Sequence, residues 1–563
     1  MRIISLLFLL VLAVCNLFGA KESKGVANAR KSVVSILVYN DGTLLRSGLG
    51  VFVGDNGEIL SSYSLFLDAD SAVCIDPAGK VRSIERIIGA NDIYDCIKVR
   101  AQWDKKLLPL AISANAAPKD AKLYMVSYGA KKSGLVEPLV VADVTTASGS
   151  PYYTFSKHIS DNMLSAPVVN EMGELVALVQ PAAPGDTVKS YALSAAFVNN
   201  LATTSLTYNN ALFSRIDIQV ALPSTQKEAL TTLYLLQGLS YGDEKERFLK
   251  SLDDYNAEYP QSYEGRLMLA EYYVVADSAF DKASKEWEKA LELSERPDDV
   301  HYNISKVYAG AVAKYAQSDE AVTLYVDSAI VHIDAAIALK NEPLYLQHKA
   351  ELHFAKGDFA EAYNSYEALS HTNMSSVDVY AAASKCKEAL GDYDAAIAQM
   401  DSAIATFGSQ PVEAMAPYLL NNAMLKHKAG RAREAVLDFN KYELLREGRL
   451  TAPFYYMREQ AEYDAKMFRQ ALDDIELAIY MVPDEPAYLI EKGRLCYRVK
   501  LVDEALNALV RAAELVPENP DVHYLMGRCY LSNGDNASAK LSLLKAKECG
   551  HPDAEARLAD LDK

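Results

Sequence analysis

An alanine recurs through the second half of the sequence with nearly constant spacing. The recurring positions are Ala362, Ala396, Ala435, Ala471, Ala505 and Ala539. The intervals between them are 34, 39, 36, 34 and 34 residues. A glycine precedes four of them by five residues, and Pro483 and Pro517 follow two of them by twelve. This period predicts pairs of antiparallel helices over residues 225–563, with small residues at the contact and proline ending the pair. One pair buries too little apolar surface alone, so the pairs are expected to stack into a solenoid.

The spacing and the residue types resemble the tetratricopeptide repeat. The segment LMGRCYLSNGDNASAKLSLLKAKE matches best, and Ala283 and Ala329 take the same role in weaker units. FLKSLDDYNAEYP is interpreted as a ninth, degenerate unit. The resemblance implies an all-α superhelix of about eight to nine repeats, whose inner helices line a concave groove for a protein or peptide. The candidate groove residues are Asn421, Asn422, Lys428, Arg494 and Arg528.

The first half has a different pattern, typical of short strands. From about residue 30 to 205 the chain alternates brief apolar runs such as SVVSILVYN, GLGVFVG, CIKVRA and ELVALVQ with Gly, Asn, Asp and Pro. Many short strands with this spacing predict a closed barrel or a sandwich. The sequence therefore predicts a multidomain chain, all-β first and all-α afterwards.

Four segments of the strand region resemble the trypsin-like serine proteases, and more closely their HtrA-type branch. In chain order they are RSGLGVFVGDNGEILSSYSLF, NDIYDCIKV, DNMLSAPVVNEMGELVALV and SYALSAAFVNNL. The resemblance implies a double barrel over residues 25–205, a linker over residues 206–224, and the repeats from residue 225 onward.

The resemblance also locates the reactive positions, and two of the three have lost their chemistry. The general base falls at Ser64, the aspartate is kept as Asp95, and the nucleophile falls at Leu164. A leucine has no proton to give up, and a serine hydroxyl is no base at its ordinary pKa. The glycine that follows the nucleophile in the family is Ser165 here, so the oxyanion donor is in doubt as well. We therefore expect a pseudoprotease with no catalytic residue.

Two alternatives to this inert scaffold stay open. In a slipped turn Ser165 would be the nucleophile of a divergent endopeptidase, with Lys157 or His158 as its base. His158 is the one histidine between residues 21 and 300. In the other alternative the solenoid organises an outer-membrane assembly, and the barrel region is a docking module.

Composition excludes several other classes of function. The formal net charge is −18 and no local Lys/Arg cluster offsets it, so nucleic acid is not expected as a partner. No Cys or His spacing fits zinc, and no phosphate loop or dinucleotide motif is present, so neither a cofactor nor a metal is expected. Cys74 and Cys96 fall on neighbouring predicted strands, where one disulfide is an option.

The N-terminal segment MRIISLLFLLVLAVCNLFGA is interpreted as a secretory signal, with cleavage near Ala20. An uncleaved anchor and lipid attachment at Cys15 are the alternatives. No later stretch is judged long and apolar enough to cross a membrane. We expect an exported protein, in the periplasm of a bacterium, with peripheral or lipid-anchored membrane association left open.

Overall fold

The computed structural model describes residues 23–54, 56–103, 108–130, 135–182, 186–208, 210–238, 245–315, 318–446 and 448–561. The chain forms two compact units, which divide between Ser294 and Glu295. The first unit holds two β-barrels and the first helices, and the second holds the remaining helices. The predicted signal segment, with Cys15 and the cleavage position, lies outside the described residues.

Each barrel is a closed sheet of six antiparallel strands. The first barrel consists of β1 (Val33–Asn40), β2 (Thr43–Val53), β3 (Glu58–Ser61), β4 (Ser71–Ile75), β5 (Val81–Asn91) and β6 (Cys96–Ala101). The second consists of β7 (Lys122–Val126), β8 (Val136–Ala147), β9 (Ser150–Phe155), β10 (Pro167–Val169), β11 (Leu175–Gln180) and β12 (Ser190–Ser194). Both barrels have the strand order 1-2-3-6-5-4, counted from their own first strand. The predicted double barrel is therefore confirmed.

The strands form because apolar side chains alternate with polar ones and fill the barrel interiors. Buried and exposed residues alternate through the first half of β5, as expected for a strand with one face toward a core. Ile36 on β1 lies opposite Gly48 on β2 and Cys74 on β4. A Cβ atom added at the neighbouring Gly50 would lie 2.7 Å from the Ile36 side chain, so glycine allows the strands to pack closely there.

The helices follow the barrels in consecutive pairs. The short helices of the barrel region are α1 (Lys24–Ala29), α2 (Tyr63–Phe66) and α3 (Ala195–Asn199). Four more complete the first unit: α4 (Gln226–Gln237), α5 (Lys245–Glu258), α6 (Tyr263–Asp277) and α7 (Phe280–Leu293). The second unit begins with α8 (Pro297–Tyr315), α9 (Asp319–Leu339), α10 (Pro343–Lys356), α11 (Phe359–Ser370), α12 (Val377–Ala389), α13 (Tyr393–Ala405), α14 (Ala416–Lys428) and α15 (Ala432–Leu445). It ends with α16 (Ala452–Asp464), α17 (Phe468–Met481), α18 (Pro486–Arg498), α19 (Val502–Leu515), α20 (Pro520–Ser532), α21 (Asn536–Glu548) and α22 (Ala554–Leu561).

The recurring small residues lie where the helices of a pair touch. All six recurring alanines are fully buried. The glycines that precede four of them, Gly357, Gly391, Gly430 and Gly534, have φ between 75° and 86°, in the left-handed region that glycine adopts without strain. Two other turns place Lys466 and Lys500 in the same conformation, at φ values of 62° and 66°. The predicted helical pairs, and with them the all-α array, are confirmed.

Residues 206–224, predicted as a linker, run along the first barrel. Val220 forms a parallel bridge with Ile87 on β5, and the Ala221 amide donates to the Ile87 carbonyl at 2.7 Å. Arg215 donates to both carboxylate oxygens of Asp68. The segment and helices α4 to α6 share one apolar core with the first barrel, which includes Tyr208 and Phe213.

Helix α9 corrects one expectation from the sequence. Its 21 residues contain an 18-residue window of mean hydropathy 1.5, and by length and composition it could cross a membrane. The expectation that no later stretch is long and apolar enough is therefore wrong. Asp327 and Asp334 are charged, but the alanine, valine and isoleucine residues around them keep the mean hydropathy of the window high. In the fold those two aspartates pair with lysines of α10, and Ala329 packs against α8. Of the window, 22% is buried.

Cys74 and Cys96 are separate free thiols, so the disulfide that the sequence left open is not formed. Cys74 is on β4 and Cys96 is on β6, and both are fully buried. Burial raises the pKa of each thiol to about 12, which leaves both protonated at neutral pH.

Candidate functional site

The first barrel brings Ser64 and Asp95 together. Ser64 lies on the short helix α2 after β3, and Asp95 lies in the loop between β5 and β6. The Ser64 amide donates to one carboxylate oxygen of Asp95 at 2.6 Å, and the Ser64 hydroxyl donates to the other at 3.0 Å. In a serine protease that carboxylate would orient a histidine base. Here it accepts two hydrogen bonds from a residue that supplies no base.

The second barrel holds Leu164 at the end of a tight turn. Residues Asp161–Met163 form a single 3₁₀ turn, in which the Leu164 amide donates to the Asp161 carbonyl at 3.2 Å. The Met163 amide donates to the Ser160 carbonyl at 2.9 Å. An oxyanion hole needs amides of this turn aimed at the substrate carbonyl. The Leu164 amide is instead bonded within the turn.

The runner-up nucleophile, Ser165, lies beneath that turn. Its φ is 62°, the left-handed conformation that the family's glycine would adopt, and its amide donates to the Val179 carbonyl at 2.9 Å. Only 1% of Ser165 is exposed, whereas both proposed bases, Lys157 and His158, are on the surface. Lys157 forms an ion pair with Glu137. The Ser165 hydroxyl is therefore buried, whereas the side chains of both candidate bases are exposed to solvent.

The groove candidates in the repeats divide into buried and exposed residues. Asn422 is fully buried on α14, and its amide nitrogen donates to Asp401 at 2.6 Å and to Asp438 at 3.1 Å. It therefore lies inside its repeat and not in a groove, contrary to the prediction. Lys428 is exposed and pairs with Glu388 at 2.6 Å. Asn421 is half-buried beside it in the sequence.

Arg494 and Arg528 lie on the first helices of the last two full repeats. Arg494 is exposed on α18 and pairs with Glu491 at 3.2 Å. Arg528 is half-buried on α20, and its guanidinium carbon lies 4.8 Å from the ring centroid of Tyr497 on α18. Both helices therefore present these side chains to the same surface.

A buried charged cluster inside the repeats was missed at the level of the sequence. Arg458 on α16 donates to Asp474 on α17 and to Glu443 on α15. Glu459 and Glu462, on α16, are 1% and 3% exposed. Burial, together with the nearby carboxylate of Glu491 for Glu459 and of Asp474 for Glu462, raises the pKa of each to about 8.

The repeat spacing contains the signal that would have found this cluster. Glu459 stands 34 residues before Gly493, which stands 34 residues before Gly527. A Cβ atom at Gly493 would lie 2.5 Å from the Leu509 side chain, so glycine permits close helix packing in that repeat. A glutamate at the same repeat position must enter the helix contact, because the position itself is buried.

No group of three or more His, Cys, Asp or Glu side chains converges as for a metal ion within the ranges that the structure describes.

The comparisons with known proteins concern the two halves separately. The tetratricopeptide repeat profile matches residues 500–561. A search of the curated proteins found no match. Among solved structures, the serine endoprotease from Yersinia pestis is similar at 16% identity and a TM-score of 0.27, over 31% of this chain and 62% of that chain.

A second solved structure is the Rv3671c protease from M. tuberculosis. Its active form is similar at 15% identity and a TM-score of 0.29, over 37% of this chain and 89% of that chain. The chain thus spans less than two thirds of the Yersinia protease but most of the mycobacterial one. The trypsin-like resemblance is confirmed for the fold, through the order of strands in both barrels, and the repeat resemblance is confirmed for the C-terminal part.

Proposed function

We propose that this chain is a non-catalytic protein-binding scaffold of the bacterial envelope. The observation that carries the proposal is the hydrogen-bonded pair of Ser64 and Asp95, with Leu164 at the third reactive position. Proton transfer from a nucleophile needs a base, and attack needs a nucleophile. With both absent, the protease-like barrels act as a binding or docking module and do not cut their ligand.

The helical repeats supply the binding surface in this proposal. The first helices of the last two full repeats carry the exposed Arg494 and Arg498 and the half-buried Arg528, which suit an extended segment or a partner helix. Arg494 and Arg528 remain groove candidates, because both lie on first helices and are at least partly exposed. Asn422 is buried inside its repeat.

Absence of hydrolysis is tested with a fluorophosphonate probe and with unfolded casein, with trypsin as the positive control. We expect no labelled serine and no casein fragments from the full chain. Labelling that disappears in a Ser165→Ala variant, together with casein cleavage, would establish the divergent endopeptidase and overturn the scaffold.

Protein binding is tested by capture from an envelope extract with the full chain, followed by reconstitution with the purified partner. We expect a defined partner with a measurable Kd for the purified pair. Failure to reconstitute any captured protein contradicts the scaffold. If the chain instead sediments with membranes that have been washed with salt, and is released from them by detergent, the result favours the alternative in which the solenoid organises a membrane assembly.

Export is proposed from the N-terminal segment alone. Intact mass and N-terminal sequencing of the protein from cells test it. We expect a mature N-terminus near Lys21, after cleavage at Ala20. A mass that includes lipid on Cys15 identifies an anchored form, and an intact Met1 contradicts cleavage.

A further inference from the structure

Arginine and tyrosine side chains collect on the first helices of the last two full repeats. Arg494, Tyr497 and Arg498 lie three and four residues apart on α18, so they share one face of that helix. Arg528 of α20 reaches across to the Tyr497 ring at 4.8 Å. Helices α18 and α20 contact each other directly. We call these four residues the arginine–tyrosine face.

Two arginines of this face have no carboxylate of their own. Neither Arg498 nor Arg528 forms an ion pair within the described parts of the chain, and Nε of Arg528 is buried without a hydrogen-bond acceptor there. Some other arginines of the repeats are paired, as in Arg431–Glu434 at 2.5 Å, Arg449–Glu413 at 2.6 Å and Arg511–Asp484 at 2.7 Å. Arg433, Arg469 and Arg557 also form no ion pair in the described residues, but they are not grouped beside a tyrosine of a neighbouring repeat. Acidic residues outnumber basic ones in the chain by 75 to 57, so two unpaired arginines beside one tyrosine form a local departure from the net charge.

The acidic residues closest in sequence to the face are already engaged. Glu491 pairs with Arg494, and Asp521 lies 3.5 Å from His551. The imidazole of His551 stacks on Tyr524 with the ring centroids 3.8 Å apart, which adds an aromatic surface on α20. The face therefore combines a local excess of positive charge with flat aromatic area.

We propose that the arginine–tyrosine face binds an extended acidic segment of a protein partner. This rests on the proposed function, and it names the partner's chemistry. A guanidinium binds a carboxylate through two parallel N–H donors, so Arg494, Arg498 and Arg528 together select closely spaced Asp or Glu side chains. The Tyr497 ring packs against the peptide between them.

A protein segment suits this face better than a nucleic acid. The chain carries a formal net charge of −18, so a long polyanion is repelled by the rest of the surface. A short peptide with a few carboxylates gains the local arginine contacts and pays little of that repulsion. In an extended peptide every second side chain points to the same side, so alternating acidic residues can face the arginines together.

The test is fluorescence anisotropy with the full chain and two fluorescein-labelled peptides of about ten residues. One alternates glutamate with serine, and the other carries glutamine in place of every glutamate. We expect the glutamine peptide to bind the wild type about tenfold more weakly, because each charge-assisted hydrogen bond contributes more than a neutral one. Equal binding of both peptides overturns the proposal.

The arginines are tested by the double variant Arg498→Ala/Arg528→Ala, which should bind the glutamate peptide at least about tenfold more weakly. The matched control is Arg511→Ala, which removes an exposed, paired arginine from α19 and should leave the peptide Kd within about twofold. Arg498→Glu should reverse the preference toward a lysine–serine peptide. Thermal unfolding verifies that each variant is folded.

Two further results separate this inference from the scaffold itself. If a reconstituted protein partner binds Arg498→Ala/Arg528→Ala as tightly as wild type, the face is not its site, and the scaffold stands. If the glutamate peptide binds as expected but no partner protein is reconstituted, the face stands and the scaffold fails. A labelled single-stranded oligonucleotide of about ten nucleotides that binds more tightly than the peptide overturns the choice of a protein segment.

Discussion

The guanidinium of Arg458 donates two hydrogen bonds to the carboxylate of Asp474, at 2.6 and 2.9 Å, inside the repeat of α16 and α17. Both residues are less than a tenth exposed. Removing one partner of a buried ion pair leaves an uncompensated charge in an apolar contact. The cluster around this pair therefore holds the repeat in one packing arrangement.

Truncating Arg458 should destabilise the second unit strongly. Arg458→Ala leaves the buried carboxylate of Asp474 and the partly exposed carboxylate of Glu443 without their donor, at a cost of about 3–5 kcal/mol in the free energy of unfolding. Urea unfolding followed by circular dichroism measures the loss. Arg494→Ala, on the exposed side of the neighbouring α18, should change the free energy by less than about 0.5 kcal/mol.

Stability of the same region should fall as the pH rises. The folded pKa of Glu459 and of Glu462 is raised to about 8, so the folded state holds protons that the unfolded state releases above about 4.5. Their contribution is present below pH 4.5 and is lost as the pH rises through 8. Each residue should cost about 2 kcal/mol between pH 6 and pH 9.

Neutral replacements should remove that pH dependence. Glu459→Gln/Glu462→Gln should unfold at a higher temperature than wild type at pH 9, since glutamine has no proton to lose. The control is Glu514→Gln on the exposed side of α19, which should follow the wild-type profile. A wild-type midpoint that is flat from pH 6 to pH 9 contradicts the burial of these carboxyls.

The histidines of α8 and α9 should give the opposite dependence. Nδ1 of His301 lies 3.0 Å from Nδ1 of His332, so one ring donates a hydrogen bond to the other. Burial, followed by the neighbouring His301, lowers the pKa of His332 to about 4, and burial lowers that of His301. Because their pKa values are lowered in the folded state, these histidines stabilise the fold above about pH 6.5. This stabilisation is lost as the pH falls toward 4.

We expect a loss of about 1–2 kcal/mol between pH 7 and pH 5, measured by thermal unfolding. His301→Gln/His332→Gln should flatten this part of the profile, whereas His371→Gln, at an exposed position, should leave it unchanged. A steeper acid loss in the double variant than in wild type would count against the lowered pKa values of this histidine pair.

Close helix packing predicts opposite effects for two glycines. Gly493→Ala places a Cβ atom 2.5 Å from the Leu509 side chain and should cost about 1–3 kcal/mol. Gly310→Ala, on α8, meets nothing within 4 Å and should stabilise by about 0.5–1 kcal/mol through helix propensity. Chemical denaturation of both variants measures the difference, and equal effects would contradict the contact at Gly493.

Placing histidine and serine at the two predicted reactive positions should not produce an activated nucleophile. In Ser64→His/Leu164→Ser the backbone amide of residue 164 still donates to the Asp161 carbonyl, so this amide is not available to a substrate oxyanion. Fluorophosphonate labelling should stay at background, with trypsin as the positive control. Rapid labelling of the double variant would mean that the turn rearranges readily.

The alanine period predicted the helical array because its residues touch their partners at fixed intervals, which is a local property of the sequence. The barrel segments were predicted as strands. Which of their side chains face the interior of a barrel depends on contacts between segments that are distant in the sequence. Asn422 illustrates the limit: its type suggested a groove residue, and only the packing of α14 on α15 shows it to be internal. Glu459 was overlooked because charge alone suggested a solvated helix face.

The reactive positions were predicted for a different reason, and their assignment stays a prediction. Ser64 and Asp95 stand in motifs of fixed order, and the structure adds that these two residues bond to each other. The internal hydrogen bond of the Leu164 amide depends on backbone torsions of the preceding turn, which no residue type in that turn determines uniquely.

The segment that joins the barrels to the helices has a practical consequence for dissecting the molecule. Arg86 of β5 pairs with Asp254 of α5 at 2.8 Å, and Val220 is bridged to the same strand. A truncation at residue 225 would strip apolar cover from the first barrel and from α5 at once. Shortened versions intended for crystallisation or proteolytic mapping should therefore be cut near residue 294, at the division between the two compact units.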